Sequence, residues 1–300
     1  PLLQSSAASD VYKRQIPSYD RQIIVMDTLG HLNNQTETKF EVIVVDQTVK
    51  KSKNLALFQF KNSSIRYKYV RIEEIGLPNA RNVGVNYAST NLIIFIDDDC
   101  IPHKALVESY CNIFKTQESN IWCIGGRVIE KDSKIFKQSN KIVGGSITWY
   151  GKTLKNFDSS KSGYSQWVPG GNFAVKKDRF NQVGGFDTNY LGNAILEDSD
   201  FSFMISRFGG KLMYNPRAVI EHLRIPSGGT RKESASKGML YRAHNTIYFL
   251  RKHQMYSRIP PSIFYLLGIV AKDLFFRKHG LTSIIWMILG LIKGFKTRKV

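Results

Sequence analysis

The sequence predicts an α/β fold with a doubly wound, mostly parallel central sheet, followed by a C-terminal helical tail. Two largely apolar runs, 40–45 and 92–96, each end directly on carboxylates. Such runs are typical of strands that are buried on both faces of a parallel sheet and end at a solvent-facing edge. Segments with helical spacing alternate with these strands, as in doubly wound folds. From Ile263 onward the pattern changes to apolar helical segments with basic residues between them.

The elements follow one another as strand, helix, strand, helix, strand. Residues 16–20 form a strand end and turn, and the helical spacing of 21–32 stops at two asparagines. Further strands are predicted at 40–46, 65–72 and 92–96, with a helix at 80–88. Because the strands are parallel, Asp46 and the carboxylates after residue 96 should meet at one edge of the sheet, where open α/β sheets bind ligands.

Residues 1–15 do not resemble the start of a domain. They lack a clear strand pattern, and the run 5–15 resembles translated sequencing-adapter sequence. We therefore expect 1–15 to be a non-native leader that has overwritten the native first strand before Ile16. The expected organisation is then a catalytic domain at 16–253 and a helical segment at 254–300.

Composition limits the class of protein. The net charge of +19 predicts attraction to an anionic partner, whether nucleic acid, lipid headgroups or a phosphorylated substrate. A hydrophobic content of 42% is enough for a core, which excludes a disordered chain. The three cysteines lack metal-ligand spacing and favour a reducing cytosol over a disulfide framework. We find no secretory signal and no apolar stretch of the ~20 residues that span a bilayer.

Three consecutive carboxylates, Asp97, Asp98 and Asp99, follow the strand at 92–96. Side chains alternate along an extended chain, so Asp97 and Asp99 should point to one side and Asp98 to the other. Two convergent carboxylates suit Mg²⁺ or Mn²⁺, which usually completes its shell with water and substrate phosphates. The alternative is a solvated acidic turn.

Four motifs, in order, resemble those of family 2 glycosyltransferases with the GT-A fold. They lie at 16–20, 44–48, 76–84 and 95–99, and their order and spacing match over about 16–253. The resemblance implies inverting transfer of a sugar from a nucleoside-diphosphate donor of UDP, GDP or dTDP type, assisted by Mg²⁺ or Mn²⁺. Residues 16–100 would form the nucleotide-binding half, and residues 101–253 the acceptor and catalytic half.

The resemblance also implies roles for single residues in the first half. Pro17, Tyr19 and Asp46 would lie around the base and ribose, and Arg81 near the nucleotide. Asp97 and Asp99 would hold the metal, and both Asp97 and Asp98 would contact the donor. Asp20 stands where the family often has Asn, and either residue can cap the helix that follows.

A glycine-rich turn, Gly170–Gly171, precedes a short strand in the second half. Two glycines allow a backbone to come close to a ligand, although an ordinary turn has the same composition. The resemblance implies that this segment lines the donor-sugar and acceptor pocket. The residues expected there are Trp167, Gly170, Gly171 and Asn172.

Glu197 and Asp198 open an amphipathic helix. Acids at a helix N-terminus are electrostatically favoured, which is a sufficient structural explanation. The resemblance implies instead that Asp198 is the general base and Glu197 its neighbour. A carboxylate suits this role because the acceptor hydroxyl must lose a proton as it attacks. We expect Asp200 to lie on the helix surface or to act as a cap.

His222 ends a short apolar strand. The resemblance implies a histidine that reaches the metal or the diphosphate, and neutral imidazole can ligate Mn²⁺; the alternative is a structural histidine.

The segment 224–237 is a basic loop that contains Arg231 and Lys232. We expect it to close over the leaving diphosphate, unless it is a solvated charged loop.

The C-terminal tail contains two apolar helical segments, 263–276 and 281–295, with basic residues between and after them. Both are expected to be too short to span a bilayer, and the first too charged. They predict two helices in the interface of an anionic membrane. The alternative is packing on the catalytic domain or on a second subunit. With the reducing cytosol that the cysteines favour, we expect a cytoplasmic enzyme that is peripheral on the inner face of the cell membrane. The resemblance implies polysaccharide synthesis, with a polysaccharide, glycan or lipid-linked acceptor.

Two other functions are compatible with parts of this pattern. A sugar nucleotidylyltransferase would need a glycine-rich phosphate loop after the first strand, and 16–21 contains no glycine. A basic nucleic-acid-binding protein would need a recognition motif, and none has the expected spacing. The acidic strand ends would also repel phosphates in the absence of metal, so we expect no nucleic-acid partner.

Overall fold

The computed structural model describes residues 12–131, 142–225, 235–276 and 280–300. The expected diphosphate-loop residues Arg231 and Lys232 lie outside these ranges. The strands are β1 (Tyr12–Ser18), β2 (Phe40–Asp46), β3 (Arg66–Arg71), β4 (Leu92–Ile96), β5 (Cys100–Pro102), β6 (Ile121–Glu130), β7 (Gly144–Ile147), β8 (Thr153–Asn156), β9 (Gly163–Tyr164), β10 (Asn172–Lys176) and β11 (Lys211–His222). The helices are α1 (Gln22–Leu32), α2 (Lys53–Ala56), α3 (Leu77–Asn86), α4 (Leu106–Thr116), α5 (Lys177–Gln182), α6 (Glu197–Arg207), α7 (Ala235–Lys252), α8 (Ile259–Phe276) and α9 (Gly280–Lys296).

One large sheet organises the domain. Its strand order is β3-β2-β1-β4-β10-β6-β11-β5, with β9 beside β11. The strands β3, β2, β1 and β4 run parallel, which confirms the predicted α/β class with a parallel centre. β10 runs antiparallel to β4 and pairs Asn172 with Ile96. The start of β10 therefore lies at the same edge as the end of β4, which places the Gly170–Gly171 turn beside Asp97.

Helices cover both faces of the sheet, as doubly wound folds require. On one face α1 and α4 bury side chains such as Leu29 and Leu106 in a core with β1, β2 and β4. On the other face α5 and α6 bury Phe180 and Phe201. Phe201 lies at the end of an aromatic cluster in which the Phe95 and Phe173 rings stack at 4.5 Å. These two cores hold the carboxyl edge of the sheet rigid.

β1 begins at Tyr12, so residues 12–15 are part of the sheet rather than ahead of it. They lie between β2 and β4, where strands are normally apolar. Lys13, Arg14 and Gln15 are nevertheless at most 1% exposed. Within the described residues, Arg14 Nε and Nη1 and Gln15 Oε1 have no hydrogen-bond partner. The chemistry of this segment therefore does not suit its position, and its non-native origin stays a prediction.

α9 packs closely along α7. A Cβ added at Gly294 would lie 2.8 Å from the His244 carbonyl oxygen, and one at Gly290 would overlap the Leu240 carbonyl. Arg251 at the end of α7 donates from Nη1 to the Gly294 carbonyl at 2.7 Å. Glycine is needed at both positions because the two helix backbones nearly touch.

α7 is joined to the catalytic domain by a buried ionic cluster. Lys252 Nζ lies 2.9 Å from Asp200 and 2.7 Å from Asp187, and His253 Nε2 lies 2.8 Å from Asp200. The expectation that Asp200 lies on the helix surface or caps it is therefore wrong, because Asp200 is 1% exposed and pairs with α7. A buried carboxylate of this kind requires such partners.

The first C-terminal segment is longer than expected. In the described part of the chain, one helical stretch, Tyr256–Phe276, is long and apolar enough to cross a membrane, judged by length and composition only. The expectation that both segments are too short is therefore wrong for this one. The helix starts earlier because Pro260 and Pro261 fall in its first turn, where proline is tolerated.

Candidate active site

A cleft opens at the carboxyl edge of the sheet, between the ends of β1, β4 and β11. It brings together residues that are far apart in the chain and includes most of the predicted donor and metal residues. Its lining consists of Pro17, Ser18, Tyr19, Arg21, Gln47, Leu77, Asp97, Asp98, Asp99 and His222.

Asp97, Asp99 and His222 form a group that can hold a metal ion. One ligand atom from each lies within 4.8 Å of the other two. Asp99 is buried, and its Oδ1 lies 3.1 Å from His222 Nε2. Asp97 keeps a third of its side chain exposed toward solvent. Two carboxylates and an imidazole form a donor set that fits Mn²⁺ or Mg²⁺ and leaves positions for water or phosphate.

Glu130 contacts the His222 ring nitrogen that is opposite Asp99. Its Oε2 lies 3.1 Å from His222 Nδ1, and it also forms a two-point ion pair with Arg224. Burial lowers the pKa of His222, but the hydrogen bonds to Asp99 and Glu130 outweigh burial and raise it to about 9. A carboxylate on the outer nitrogen fixes the ring orientation of a metal-binding histidine. The pair is set by the parallel register of β6 and β11, which places Glu130 beside His222.

Asp98 is not part of the metal group and shares Arg21 with Asp99. Arg21 Nη1 donates to Asp98 Oδ1 at 2.9 Å and lies 3.3 Å from Asp99 Oδ2. Burial raises the pKa of Asp98 to about 6, and the Arg21 guanidinium opposes the rise. Asp97 and Asp99 share the metal group as expected, although residues 98 and 99 form a turn rather than an extended chain. Asp98 lines the cleft, but its carboxylate is committed to Arg21 rather than free for a donor.

Arg81 connects the metal group to the Glu197–Asp198 pair. It is 2% exposed, and its Nη1 donates to Glu197 Oε1 at 2.6 Å. Its Nη2 donates to the Gly170 carbonyl at 3.0 Å and lies 3.9 Å from Asp97 Oδ1. A buried guanidinium in contact with both groups fixes their separation and supplies positive charge between two acidic sites.

Glu197 and Asp198 have different surroundings at the start of α6. Glu197 is buried against Arg81, whereas Asp198 is only partly buried and accepts hydrogen bonds from the backbone of Ser199 at 2.7 Å and of Gly170 at 3.3 Å. Burial raises the pKa of both carboxyls, and Arg81 opposes the rise. Leu196, just before them, has a φ of 79°, which is strained for a branched side chain. The accessible Asp198 is therefore the better proton acceptor of the two.

The two glycines of the turn are required by close contacts. A Cβ at Gly170 would lie 2.8 Å from Arg81 Nη2, and one at Gly171 would overlap the Asp97 carboxylate. The Asp97 backbone N–H donates to the Gly171 carbonyl at 3.3 Å. The turn thus packs directly on the metal group and on Arg81, which is why it must lack side chains.

Among the predicted side chains that the structure describes, those of Asp46, Trp167 and Asn172 are buried away from the cleft. Asp46 is fully buried and accepts hydrogen bonds from Tyr69 and from the Thr48 backbone. Trp167 packs edge-on against Phe157. Asn172 is 0% exposed, and its amide bonds Tyr110 and two backbone carbonyls. The polar groups of all three side chains are hydrogen-bonded in the protein interior. These residues therefore stabilise the elements around the site rather than contact a ligand.

Three further residues contribute to the site but had no role assigned from the sequence: Arg21, Gln47 and Glu130. Arg21 directly follows the motif at 16–20, and Gln47 lies inside the motif at 44–48, so their proximity was a usable signal. Gln47 lines the cleft and accepts from the Gly76 backbone N–H at 2.6 Å. Glu130 had no local signal, because its contact with His222 spans 92 positions in the chain.

The sequence profile described as "Glycosyl transferase family 2" matches residues 15–184, more than half of the chain. The match includes the three consecutive carboxylates and the glycine turn, and it ends before Glu197 and His222. Chondroitin synthase of Escherichia coli is 29% identical over 251 residues, which are 74% of this chain and 36% of that protein. This chain therefore spans about a third of the length of that relative.

Solved structures share the fold at low identity. S. aureus TarS superposes with a TM-score of 0.62 and 13% identity, over 95% of this chain and 81% of that one. The mannosyltransferase PcManGT from Pyrobaculum calidifontis was solved with GDP-Man and Mn²⁺. It superposes with a TM-score of 0.57 and 13% identity, over 95% of this chain and 85% of that one. Together with the profile match, these likenesses show that the chain is a glycosyltransferase with the GT-A fold and that it belongs to glycosyl transferase family 2.

Proposed function

We propose that this glycosyltransferase is metal-dependent and inverting, and that it transfers a sugar from a nucleoside diphosphate to a glycan or lipid-linked acceptor. The observation that supports this most directly is the Arg81 bridge. It joins the metal group of Asp97, Asp99 and His222 to Glu197 and the adjacent Asp198 across one cleft. A donor diphosphate at the first group would place its sugar beside the second.

In the proposed reaction, Asp198 accepts the proton of the acceptor hydroxyl as that oxygen attacks the anomeric carbon. The bond from the anomeric carbon to the diphosphate oxygen breaks, its electron pair stays with the nucleotide, and the sugar inverts in one displacement. Arg81 holds Glu197 and the glycine turn in place during this step. A divalent cation, when bound to Asp97, Asp99 and His222, would neutralise charge on the leaving group.

The donor side of the proposal is supported by the chemistry of the cleft. Pro17, Tyr19 and Leu77 supply apolar surface for a base and ribose, and the metal group can take a diphosphate. Nucleotides of UDP, GDP or dTDP type all fit this description. Structural neighbours were solved in complex with UDP-GlcNAc and with GDP-Man.

The acceptor and the location are proposed on separate grounds. The name of the Escherichia coli relative, chondroitin synthase, supports a glycan acceptor and hence a role in polysaccharide synthesis. The three cysteines, all described, are free and buried, which is typical of proteins in a reducing compartment. We therefore propose that the enzyme is cytoplasmic. The exposed apolar side chains and basic residues of the C-terminal helices support a peripheral position on the inner face of the cell membrane.

The test is a screen for nucleotide release. The enzyme is incubated with UDP-, GDP- and dTDP-sugars, with Mn²⁺, with Mg²⁺ or with a chelator. We expect release from one nucleotide class, with either cation and not with the chelator. NMR of the first product should show an anomeric configuration opposite to that of the donor. Equal release in the presence of chelator, or retained configuration, would contradict the proposal.

A further inference from the structure

Helices α8 and α9 each carry an uncovered apolar stripe. On α9, Ile285, Ile288 and Ile292 recur at helical spacing and are 58%, 47% and 47% exposed. On α8, Phe264 and Phe275 are 74% and 84% exposed. The two helices pack against each other, so the stripes belong to one structural unit, which we call the tail hairpin (259–276 and 280–296). Soluble monomers rarely expose an apolar surface of this extent without a partner.

The charge of residues 254–300 indicates what kind of surface covers the tail hairpin. Residues 254–300 contain eight basic residues and one acidic residue, Asp273. A second copy of this chain would bring two such basic sets together, and the like charges would repel each other. A surface that is both apolar and anionic satisfies both features of the tail hairpin, and a bilayer that contains anionic lipids has this chemistry. The basic residues are Arg258, Lys272, Arg277, Lys278, Lys293, Lys296, Arg298 and Lys299.

The opposite sides of both helices are fixed to the protein. α9 is held to α7 at Gly290 and Gly294, where the backbones are in contact. α8 buries Leu266 completely and donates from Ser262 Oγ to the Tyr150 carbonyl at 2.8 Å. To cross a membrane, α8 would have to leave these contacts. Lying flat keeps them and still buries the apolar stripes.

An exposed tryptophan lies beside the start of α8. Trp149, in the turn between β7 and β8, is 70% exposed, and its neighbour Tyr150 packs on Tyr265 of α8 with ring centroids 5.5 Å apart. Indole rings prefer the boundary between lipid headgroups and acyl chains, because one part of the ring is apolar and the N–H is polar. Trp149 therefore has the chemistry of a residue at the edge of a membrane-bound surface.

We propose that the tail hairpin is a membrane-docking surface, which lies in the headgroup region of an anionic bilayer with its apolar stripes among the acyl chains. The described lysines and arginines of this region, Arg258, Lys272, Lys293, Lys296, Arg298 and Lys299, contact lipid phosphates. Through α7 and the Lys252–Asp200 ion pair, the docked hairpin is tied to α6, which begins with the Glu197–Asp198 pair. If the proposed lipid-linked acceptor is correct, this geometry holds the catalytic base near the surface that carries the acceptor.

The experiment is co-sedimentation of the full chain with vesicles. One set contains phosphatidylcholine only and the other adds phosphatidylglycerol, each at low and high salt. We expect binding to the phosphatidylglycerol vesicles that weakens with salt. The double variant I288E/I292E places two carboxylates on the stripe and should bind at least about tenfold more weakly, because each charge must enter the headgroup region. The matched control, I23E/L57E, places two glutamates at exposed apolar positions outside the tail hairpin. These positions are 86% and 79% exposed, and the control should bind like the parent.

Two results would overturn the proposal. One is equal sedimentation of I288E/I292E and the parent. The other is a lipid-free parent that light scattering shows to be a dimer and that the same variant converts to a monomer, since a second copy would then cover the stripe. Nucleotide release with a soluble acceptor is measured on each variant in parallel. Unchanged release shows that the fold is intact, and it separates a failure of docking from a failure of the proposed function.

Discussion

Asp99 and His222 lie at one point of the cleft although 123 positions separate them in the chain. Each has a second partner that fixes its orientation: the Ile225 backbone N–H donates to Asp99 at 3.1 Å, and Glu130 binds the far side of the imidazole. A metal site built from side chains held in this way is pre-organised, so cation binding requires little rearrangement.

We predict that Asp99→Asn abolishes metal-dependent turnover and leaves the fold intact. The amide keeps the size of the side chain but removes the charge that a hard cation needs. Loss of an outer-shell partner alone costs about 10–100-fold in metal affinity, so loss of a direct ligand should cost at least as much. Calorimetric titration with Mn²⁺ measures the affinity, and circular dichroism the fold.

The matched control is Asp27→Asn, which makes the same change on the exposed surface of α1. It should bind Mn²⁺ like the parent. Parental Mn²⁺ affinity in Asp99→Asn would show that Asp99 is not a ligand.

Asp198 and Asp200 lie two positions apart on α6 but have different partners. We predict that Asp198→Asn lowers kcat by about 10²–10⁴-fold without lowering the melting temperature, as expected for loss of a general base. Asp200→Asn should lower the melting temperature instead, because it leaves Lys252 and His253 without their buried carboxylate. Thermal melts and steady-state rates on both variants check the difference. If Asp198→Asn kept the parental kcat, Asp198 would not be the general base.

The pH dependence of turnover follows from the same residue. A base must be ionised to accept a proton, and burial raises the pKa of Asp198 above its ordinary value. Turnover should therefore fall as the pH is lowered through this raised pKa, earlier than for a solvent-exposed aspartate. A pH profile of kcat that stays flat down to the ordinary range of a carboxyl would contradict this assignment.

At the scale of single elements, β1 has an unfavourable composition for its place. It is a central strand with parallel neighbours on both sides, yet it buries the charged side chains of Lys13 and Arg14. Burial lowers the pKa of Arg14 to about 9. Arg14 Nη2 donates to Gln35 at 2.8 Å, and its other two nitrogens have no partner among the residues that the structure describes.

We predict that Arg14→Ile stabilises the domain. Replacing a poorly satisfied buried charge by a well-packed apolar side chain is often worth about 1–4 kcal/mol. The free energy of unfolding in urea should rise by that order. Arg66→Ile, on the exposed edge strand β3, is the matched control and should change it by less than about 0.5 kcal/mol. A destabilised Arg14→Ile protein would mean that the arginine is a native part of the strand.

At the scale of the whole molecule, the C-terminal helices form a second layer on the catalytic domain. α7 is attached through the Lys252 cluster, and α9 through its two close glycines. A buried apolar cluster that includes Ala243, Leu266 and Met287 also joins α7 to the tail hairpin. The tail hairpin is therefore coupled to the domain through α7, at positions that lie outside the cleft lining.

We predict that Gly290→Val loosens α9 from α7. The added side chain would overlap the Leu240 carbonyl, so the helices must separate. Hydrogen exchange should become faster in α9 and stay unchanged in β4 and β10. Gly268→Val is the matched control, because a Cβ at Gly268 meets nothing within 4 Å. Equal protection of α9 in the two variants would show that the close approach is not required.

Much of this protein can be derived from local sequence. The apolar strands that end on carboxylates predict the parallel sheet, and the alternation after Ile96 predicts that Asp97 and Asp99 share a side. The periodicity of 263–295 predicts the two tail helices. These features depend on the period of side-chain placement along an extended or helical chain, which a sequence shows directly.

Other features were decided only by the tertiary structure. Arg81 links Glu197 to the metal group, Glu130 lies behind His222, and Asp200 is buried against Lys252. Each contact joins residues on different elements, and the register and packing of those elements place the side chains together. Local sequence shows which way a side chain points along its own strand or helix. It does not show which residues of another element the side chain contacts, and in this protein such contacts fix the metal group, the Glu197–Asp198 pair and the attachment of α7.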